Sequence, residues 1–290
     1  MRSLLFVPAH DARKLAKGLD SGADALIIDL EDSVPEAEKA RAREMCAEFV
    51  QAHRERLPLF VRVNGLSTGL TMADLEAVVH HLPHGIMLPK CESGHDVAIL
   101  DAYVTECEAN HGVAAGSLQI LPIVTETAAS LFGLGSYARE AGPRLCGMFW
   151  GGEDLASDIG ALANRDMDGR YTAPYQLARA LTLLGAAAAQ VPAIDAVYTN
   201  FRDSGGLRAE AGEAARDGFT AKVAIHPDQI AVINEVFTPS DAAVAWAQRV
   251  VTAFDESPVA GAIAIDGKML DRPHYRAALG VLSRVQTIRH

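Results

Sequence analysis

A chain of 290 residues, 49% apolar and 22% charged, is built to bury a sizeable core, which excludes a disordered or fibrous polymer. Its formal net charge of −11 argues against a nucleic-acid partner, because neutralising phosphates needs clustered Lys and Arg. No apolar run reaches membrane-span length, the N-terminal apolar run is too short for a signal peptide, and Cys46, Cys91, Cys107 and Cys146 form no C-x-x-C pair, so a cytoplasmic protein is expected.

Taken in order, eight strand-like runs stand at residues 3–7, 25–30, 59–63, 85–88, 118–124, 145–150, 194–199 and 221–225. Helical spacing fills most of the gaps, at 35–54, 71–81, 93–110, 128–140, 174–190 and 207–216. Thr71-x-x-Asp74 and Ser93-x-x-Asp96 look like capping boxes, and Pro35 and Pro174 suit first helical turns. Repeated strand–helix alternation predicts a single (β/α)8 TIM barrel over residues 1–257, with a doubly wound open sheet as the competitor. Two regions fall outside the repeat. Residues 154–173 read as a long polar loop, and 258–290 as a C-terminal extension that comes after a helix at 240–256 and holds a strand-and-turn before a helix at 272–284.

The stretch Leu145-Cys-Gly-Met-Phe-Trp-Gly-Gly-Glu-Asp154 shows how the chain is organised: a buried strand, two glycines where backbone turns or a ligand comes close, then carboxylates. A barrel gathers the residues just past each strand on one face: Pro8 and His10, then Asp29, Glu31 and Asp32, then Arg62 and Asn64, Lys90, Glu126, Glu153 and Asp154, Asn200 and His226. Glu126 and Asp154, from adjacent strands, each offer an oxygen to Mg2+, which takes few carboxylates and keeps waters. The bland alternative has Glu126 capping a helix and Asp154 opening a turn. Arg62 suits a carboxylate or a developing oxyanion. Alternation points Asp29 and Glu31 into the mouth, but spacing does not say which acids touch a metal and which pair with Arg62 and Lys90. The EF-hand-like Asn164-x-Asp166-x-Asp168-Gly169 has Tyr175 where a bidentate Glu is required, and His80, His81 and His84 read as a solvated helix end. No G-x-S-x-G, Walker A or full G-x-G-x-x-G occurs.

Ser3-Leu-Leu-Phe-Val-Pro8, Asp29-Leu-Glu-Asp-Ser-Val34 with Lys39 and Arg41-Ala-Arg43, Val61-Arg-Val-Asn64 and Met87-Leu-Pro-Lys90 come one after another in a specific order. Glu126-Thr127, Gly151-Gly-Glu-Asp154-Leu, Ile225-His-Pro227 and Gly267-Lys-Met-Leu-Asp271 continue it. Together they resemble the citrate lyase β-subunit-like family of the HpcH/HpaI aldolase superfamily, with malyl-CoA and citramalyl-CoA lyases. The resemblance implies a barrel, usually a homotrimer or dimer of trimers, that cleaves or forms a C–C bond in an acyl-CoA thioester. It implies Glu126 and Asp154 as Mg2+ ligands, Arg62 at the thioester carbonyl, and Asp271 as an acid or base lent to a neighbouring subunit. Arg13, Lys14, His226 and Pro227 would lie near the substrate's CoA part, with Pro8 a further substrate contact. Glu31 and Asp32 stand beside Arg62 as catalytic candidates, and Lys90 and Asp29 as substrate contacts.

Three functions are compatible with these residues. The leading one is a Mg2+-dependent lyase on a β-hydroxyacyl-CoA of the citryl, malyl or citramalyl type. A malate synthase or malyl-CoA thioesterase would use the same enolate chemistry. A non-catalytic CoA-binding barrel would need none of the acids.

Overall fold

The computed structural model describes residues 1–257 and 261–289. Eight parallel strands form its centre: β1 (Ser3–Pro8), β2 (Ala25–Asp29), β3 (Leu59–Arg62), β4 (Gly85–Leu88), β5 (Gln119–Pro122), β6 (Met148–Phe149), β7 (Ala193–Asp195) and β8 (Ala221–Ala224). They pair in the order β5-β4-β3-β2-β1-β8-β7-β6. Parallel bridges Ile120↔Leu145 and Ile123↔Phe149 join the two ends, so the sheet closes as the expected barrel.

Both faces of each strand are covered, which is why the runs read as continuously apolar. Alternate side chains fill the inside: Leu4, Ile27, Phe60, Met87, Leu121, Phe149, Ile194 and Val223 share one buried cluster. Their sequence neighbours, Leu5, Leu26, Ile28, Val61 and Leu88 among them, pack outward against the helices. The same alternation sends Asp29 and Arg62 inward at the strand ends, and in the ladder they are register partners.

Several elements depart from the sequence reading. The run at 145–150 is a strand only at Met148–Phe149, because it sits at the closure and shares its amides: Cys146 N–H donates to Ile120 of β5, and Met148 N–H to Pro192 beside β7. The helix expected at 128–140 is two, Ala128–Gly133 and Tyr137–Glu140. Gly133 lies so close to the Glu92 carbonyl that an added Cβ would sit 2.0 Å from it. Three short helices were not expected: Ala12–Leu19, Glu153–Asp158 within the supposed loop, and Ile230–Phe237. The capping boxes do not form. Thr71 Oγ1 donates to the Asn64 and Gly65 carbonyls, Asp74 is buried, and Asp96 accepts the Glu92 amide.

The extension is a hairpin, β9 (Ala262–Ile265) and β10 (Lys268–Asp271), leading into the helix Arg272–Arg289. Its Leu270 and Ala278 share a small core with Ala247, Val250 and Phe254 of the helix Asp241–Asp255. Packing therefore joins that helix and the extension in one small core. Residues 258–260, where the extension was expected to begin, lie outside the described residues.

Candidate active site at the barrel mouth

Seven of the candidate residues meet at the C-terminal mouth. Arg62 Nε and Nη2 donate to the two carboxylate oxygens of Asp29 at 2.7 and 2.8 Å, a two-pronged pair set by the β2–β3 register. The same oxygens accept the Glu31 and Ser33 amides, so Asp29 is fully engaged. Arg62 Nη1 is left on the open side, 2.9 Å from Glu31 and 3.7 Å from Asp32, with Phe6 under the guanidinium at 4.7 Å. Burial would lower the Arg62 pKa, but the charges of Asp29 and Glu31 hold it above its ordinary value, so the cation is permanent. Burial would likewise raise Asp29, and Arg62 keeps it below the usual carboxylate range.

Lys90 is the hinge of the other half. It comes after Pro89 at the end of β4 with φ +52, a left-handed conformation costly for a residue with a Cβ. That turn aims its backbone N–H at the Glu126 carboxylate and its ammonium at Glu31, with Asp32 at 3.6 Å and Asp154 at 3.7 Å. Glu126 is 4% exposed, and burial, reinforced by the charge of Asp154, pushes its pKa up to about 8. Gly151 leaves room here: a Cβ would stand 3.2 Å from Glu126 Cγ, tighter than an ordinary contact. Neither Gly151 nor Gly152 has positive φ, so close approach and not a special turn explains the pair. Thr125 pins the same strand end by exchanging hydrogen bonds with both backbone groups of Gly151 at 3.0 Å.

Glu126 and Asp154 both lie against Lys90, and Glu126 is not the helix cap of the bland reading, although Asp154 does stand where a turn opens. The cap of Ala128–Gly133 is Thr127, and Asp154 stands in the first turn of Glu153–Asp158 without a capping bond. Two repelling carboxylates, one of them buried, fit a hard divalent cation that keeps water ligands. Among the described residues no group of three or more His, Cys, Asp or Glu side chains is arranged to hold a metal ion, so an ion here would rest on two carboxylates and water. Glu153 turns away to accept a bond from Asn164 at 2.8 Å.

Beside the mouth, a cleft of about 510 Å³ opens between β1 and β8. Phe6, Pro8, Lys14, Lys17, His226 and Pro227 line it, joining four of the five residues expected along an extended substrate. Arg13 is exposed on the helix Ala12–Leu19 and is not part of that lining. Asp271 stands apart from the mouth. It is exposed at the end of β10 and is fixed by His274 at 2.6 Å, which lowers its pKa. Lys39, which bridges the Leu30–Glu31 turn and Asn64, is visible in the sequence only as part of a motif, since nothing in its spacing shows a buried ammonium.

A closed parallel barrel with carboxylates, a fixed guanidinium and an ammonium at its C-terminal mouth is the framework of a barrel enzyme that handles anionic intermediates. Residues 2–227 match the family model described as HpcH/HpaI aldolase/citrate lyase. The chain is 34% identical over 305 residues to a mitochondrial citramalyl-CoA lyase of Rattus norvegicus, covering 99% of this chain and 87% of that one. It is 34% identical over 295 residues to a (3S)-malyl-CoA thioesterase of Cereibacter sphaeroides, covering 99% and 95%. Among solved structures, CitE of Mycobacterium tuberculosis in complex with magnesium, acetoacetate and coenzyme A superposes with a TM-score of 0.77 at 34% identity, over 98% of this chain and 97% of that one. The chain belongs to the HpcH/HpaI aldolase/citrate lyase family, and is an enzyme of its carbon–carbon lyase class.

Proposed function

We propose that this enzyme cleaves a β-hydroxyacyl-CoA of the citryl, malyl or citramalyl type into acetyl- or propionyl-CoA and an oxo acid, with Mg2+ as its cofactor. The observation that carries the reading is the convergence of Glu126 and Asp154 on Lys90, across the mouth from a guanidinium locked by Asp29. The carboxylates of Glu126 and Asp154 would hold the ion. Bound there, Mg2+ supplies Lewis-acid polarisation of the hydroxy-acid oxygens.

Cleavage turns the carbinol into a ketone and leaves an electron pair on the thioester fragment as an enolate. Arg62, permanently charged and held on one edge by Asp29, meets that charge through Nη1 without having to reorganise. Lys90 and Asp32 border the same space and orient the acid portion. Glu31 ties Arg62 to Lys90 and sets their separation. The cleft lined by Pro8, Lys14, His226 and Pro227 takes the CoA arm, with Lys14 toward its phosphates. Asp271, exposed and kept ionised by its own His274, acts in the site of a second copy, within a homotrimer or dimer of trimers: its carboxylate takes the carbinol proton as the C–C bond breaks and returns it to the enolate carbon. Four free cysteines suit a reducing compartment such as the cytoplasm.

The similarity to a malyl-CoA thioesterase favours one further reading, in which water attacks the thioester after or instead of cleavage. Incubating the protein and Mg2+ with a panel of acyl-CoA thioesters separates the two by mass spectrometry. Acetyl- or propionyl-CoA with an oxo acid is expected for the lyase, and free CoA for hydrolysis. A panel left intact with and without Mg2+ would refute both.

A further inference from the structure

Lys39 begins the helix Lys39–His53 and is 9% exposed. Its ammonium donates to the Leu30 carbonyl at 2.7 Å, the Glu31 carbonyl at 2.8 Å and Asn64 Oδ1 at 2.7 Å. Those are all three of its donors, and every acceptor is neutral. A buried charge bonded to neutral oxygens is expensive to keep, and pinning a turn for stability alone needs no charge.

What the ammonium holds is the frame behind the barrel mouth. The Leu30–Glu31 turn carries Glu31, the residue that reaches both Arg62 Nη1 and the Lys90 ammonium. Asn64 stands two residues beyond Arg62. Its amide nitrogen donates to Leu30 at 3.1 Å, and both it and the Asn64 backbone N–H donate to Asp74 at 2.7 Å. Arg43, one turn along the helix from Lys39, holds the other Asp74 oxygen at 2.6 Å. One helix therefore fixes the ends of β2 and β3 against each other through Lys39 and Arg43.

We propose that Lys39 is a positioning residue of the reaction: its ammonium locks the Leu30–Glu31 turn to Asn64 and so sets where Glu31 places Arg62 and Lys90. The inference rests on the proposed lyase site, and it predicts an effect on turnover distinct from that on substrate capture. Displacing a catalytic group by about 1 Å costs on the order of 100-fold in rate, whereas the CoA cleft lies between β1 and β8, away from this frame.

The test is steady-state kinetics of Lys39→Met in the full chain, beside Mg2+ titration calorimetry and a crystal structure of the variant. Expected are a kcat lowered about 10- to 100-fold, a KM for the CoA thioester within about twofold of the parent, and unchanged Mg2+ affinity. The crystal structure should show Glu31 moved off Arg62 or Lys90. A kcat equal to the parent's, measured well below the melting temperature, would overturn the proposal, as would Glu31 remaining on both partners. If Lys39→Met does not fold, Lys39→Gln decides: it removes the charge but keeps an amide donor for the turn, so a smaller kcat loss at constant KM supports the role, and an unchanged kcat refutes it. A parent protein without Mg2+-dependent turnover would instead count against the site's reading, and the position of Glu31 in the variant crystal would still judge Lys39.

Discussion

Glu126 is the residue on which the metal reading turns. Buried beside Asp154, it binds a proton with a pKa of about 8, against an ordinary value of 4.5. A carboxyl whose folded pKa is raised stabilises the metal-free fold fully below its unfolded pKa, and that stability is lost as pH rises through the folded one. The melting temperature in EDTA should therefore fall between about pH 5 and 8, and Mg2+ should reverse the fall by replacing the proton. Melting curves with EDTA and with Mg2+ that coincide across this range would contradict it. Asp154→Asn should leave the protein folded but without measurable Mg2+ binding or turnover by calorimetry and assay. Arg62→Lys keeps the charge but loses the two-pronged grip on Asp29, and kcat should drop by roughly 100- to 1000-fold with Mg2+ still bound. At this scale the sequence was legible wherever a polar residue broke an apolar run, as at Arg62, Lys90, Glu126 and Asp154. It could not show that both oxygens of Asp29 are engaged or that Glu31 bridges two cations, because those facts depend on register between separate strands.

Elements were legible in proportion to their apolar length. The parallel strands β1 to β4, buried on both faces, stand within a residue or two of where their runs predicted. The short helices Ala12–Leu19 and Glu153–Asp158 were missed because eight and six residues carry too little periodic pattern, and their stability comes from where the barrel puts them. Lys222 is a harder case. It interrupts the buried run of β8 and reads as an error in a core strand, yet its ammonium bonds Asp195 of β7 at 2.7 Å and Glu210 at 2.9 Å. Asp195 also accepts from Trp150 and Arg179, so the network ties β6, β7 and β8 to the helices outside them. Asp195→Ala would leave Lys222 buried beside a single carboxylate and deprive Arg179 and Trp150 of their acceptor. The loss should be about 3–5 kcal/mol in urea unfolding, much more than a surface acid would cost. A loss below about 1 kcal/mol would mean the network relaxes or admits water.

For the whole molecule the open matter is how the extension reaches a barrel mouth. The Ser283 and Arg284 end of its helix lines a cleft with Met1, Cys146, Pro192 and Thr220, which precede or begin β1, β6, β7 and β8. That is the N-terminal end of the barrel, opposite the mouth that Glu126 and Asp154 share. Asp271, at the far end of the same helix, is tied to His274 within the extension, so its proposed role calls for a second copy of the chain. If each site takes its carboxylate pair from one subunit and its acid from the next, two inactive variants can repair each other. Asp154→Asn and Asp271→Asn should each lack turnover alone. Mixed in equal amounts and allowed to exchange subunits, they should recover about a quarter of the parent activity, since a site needs an intact pair from one parent and an intact tail from the other. Recovery would come without any change in the single-variant proteins, so unmixed samples held under the same conditions are the control. A mixture that exchanges subunits by native mass spectrometry yet stays inactive would place Asp271 in its own chain's site, and an Asp271→Asn protein active by itself would place it outside the reaction.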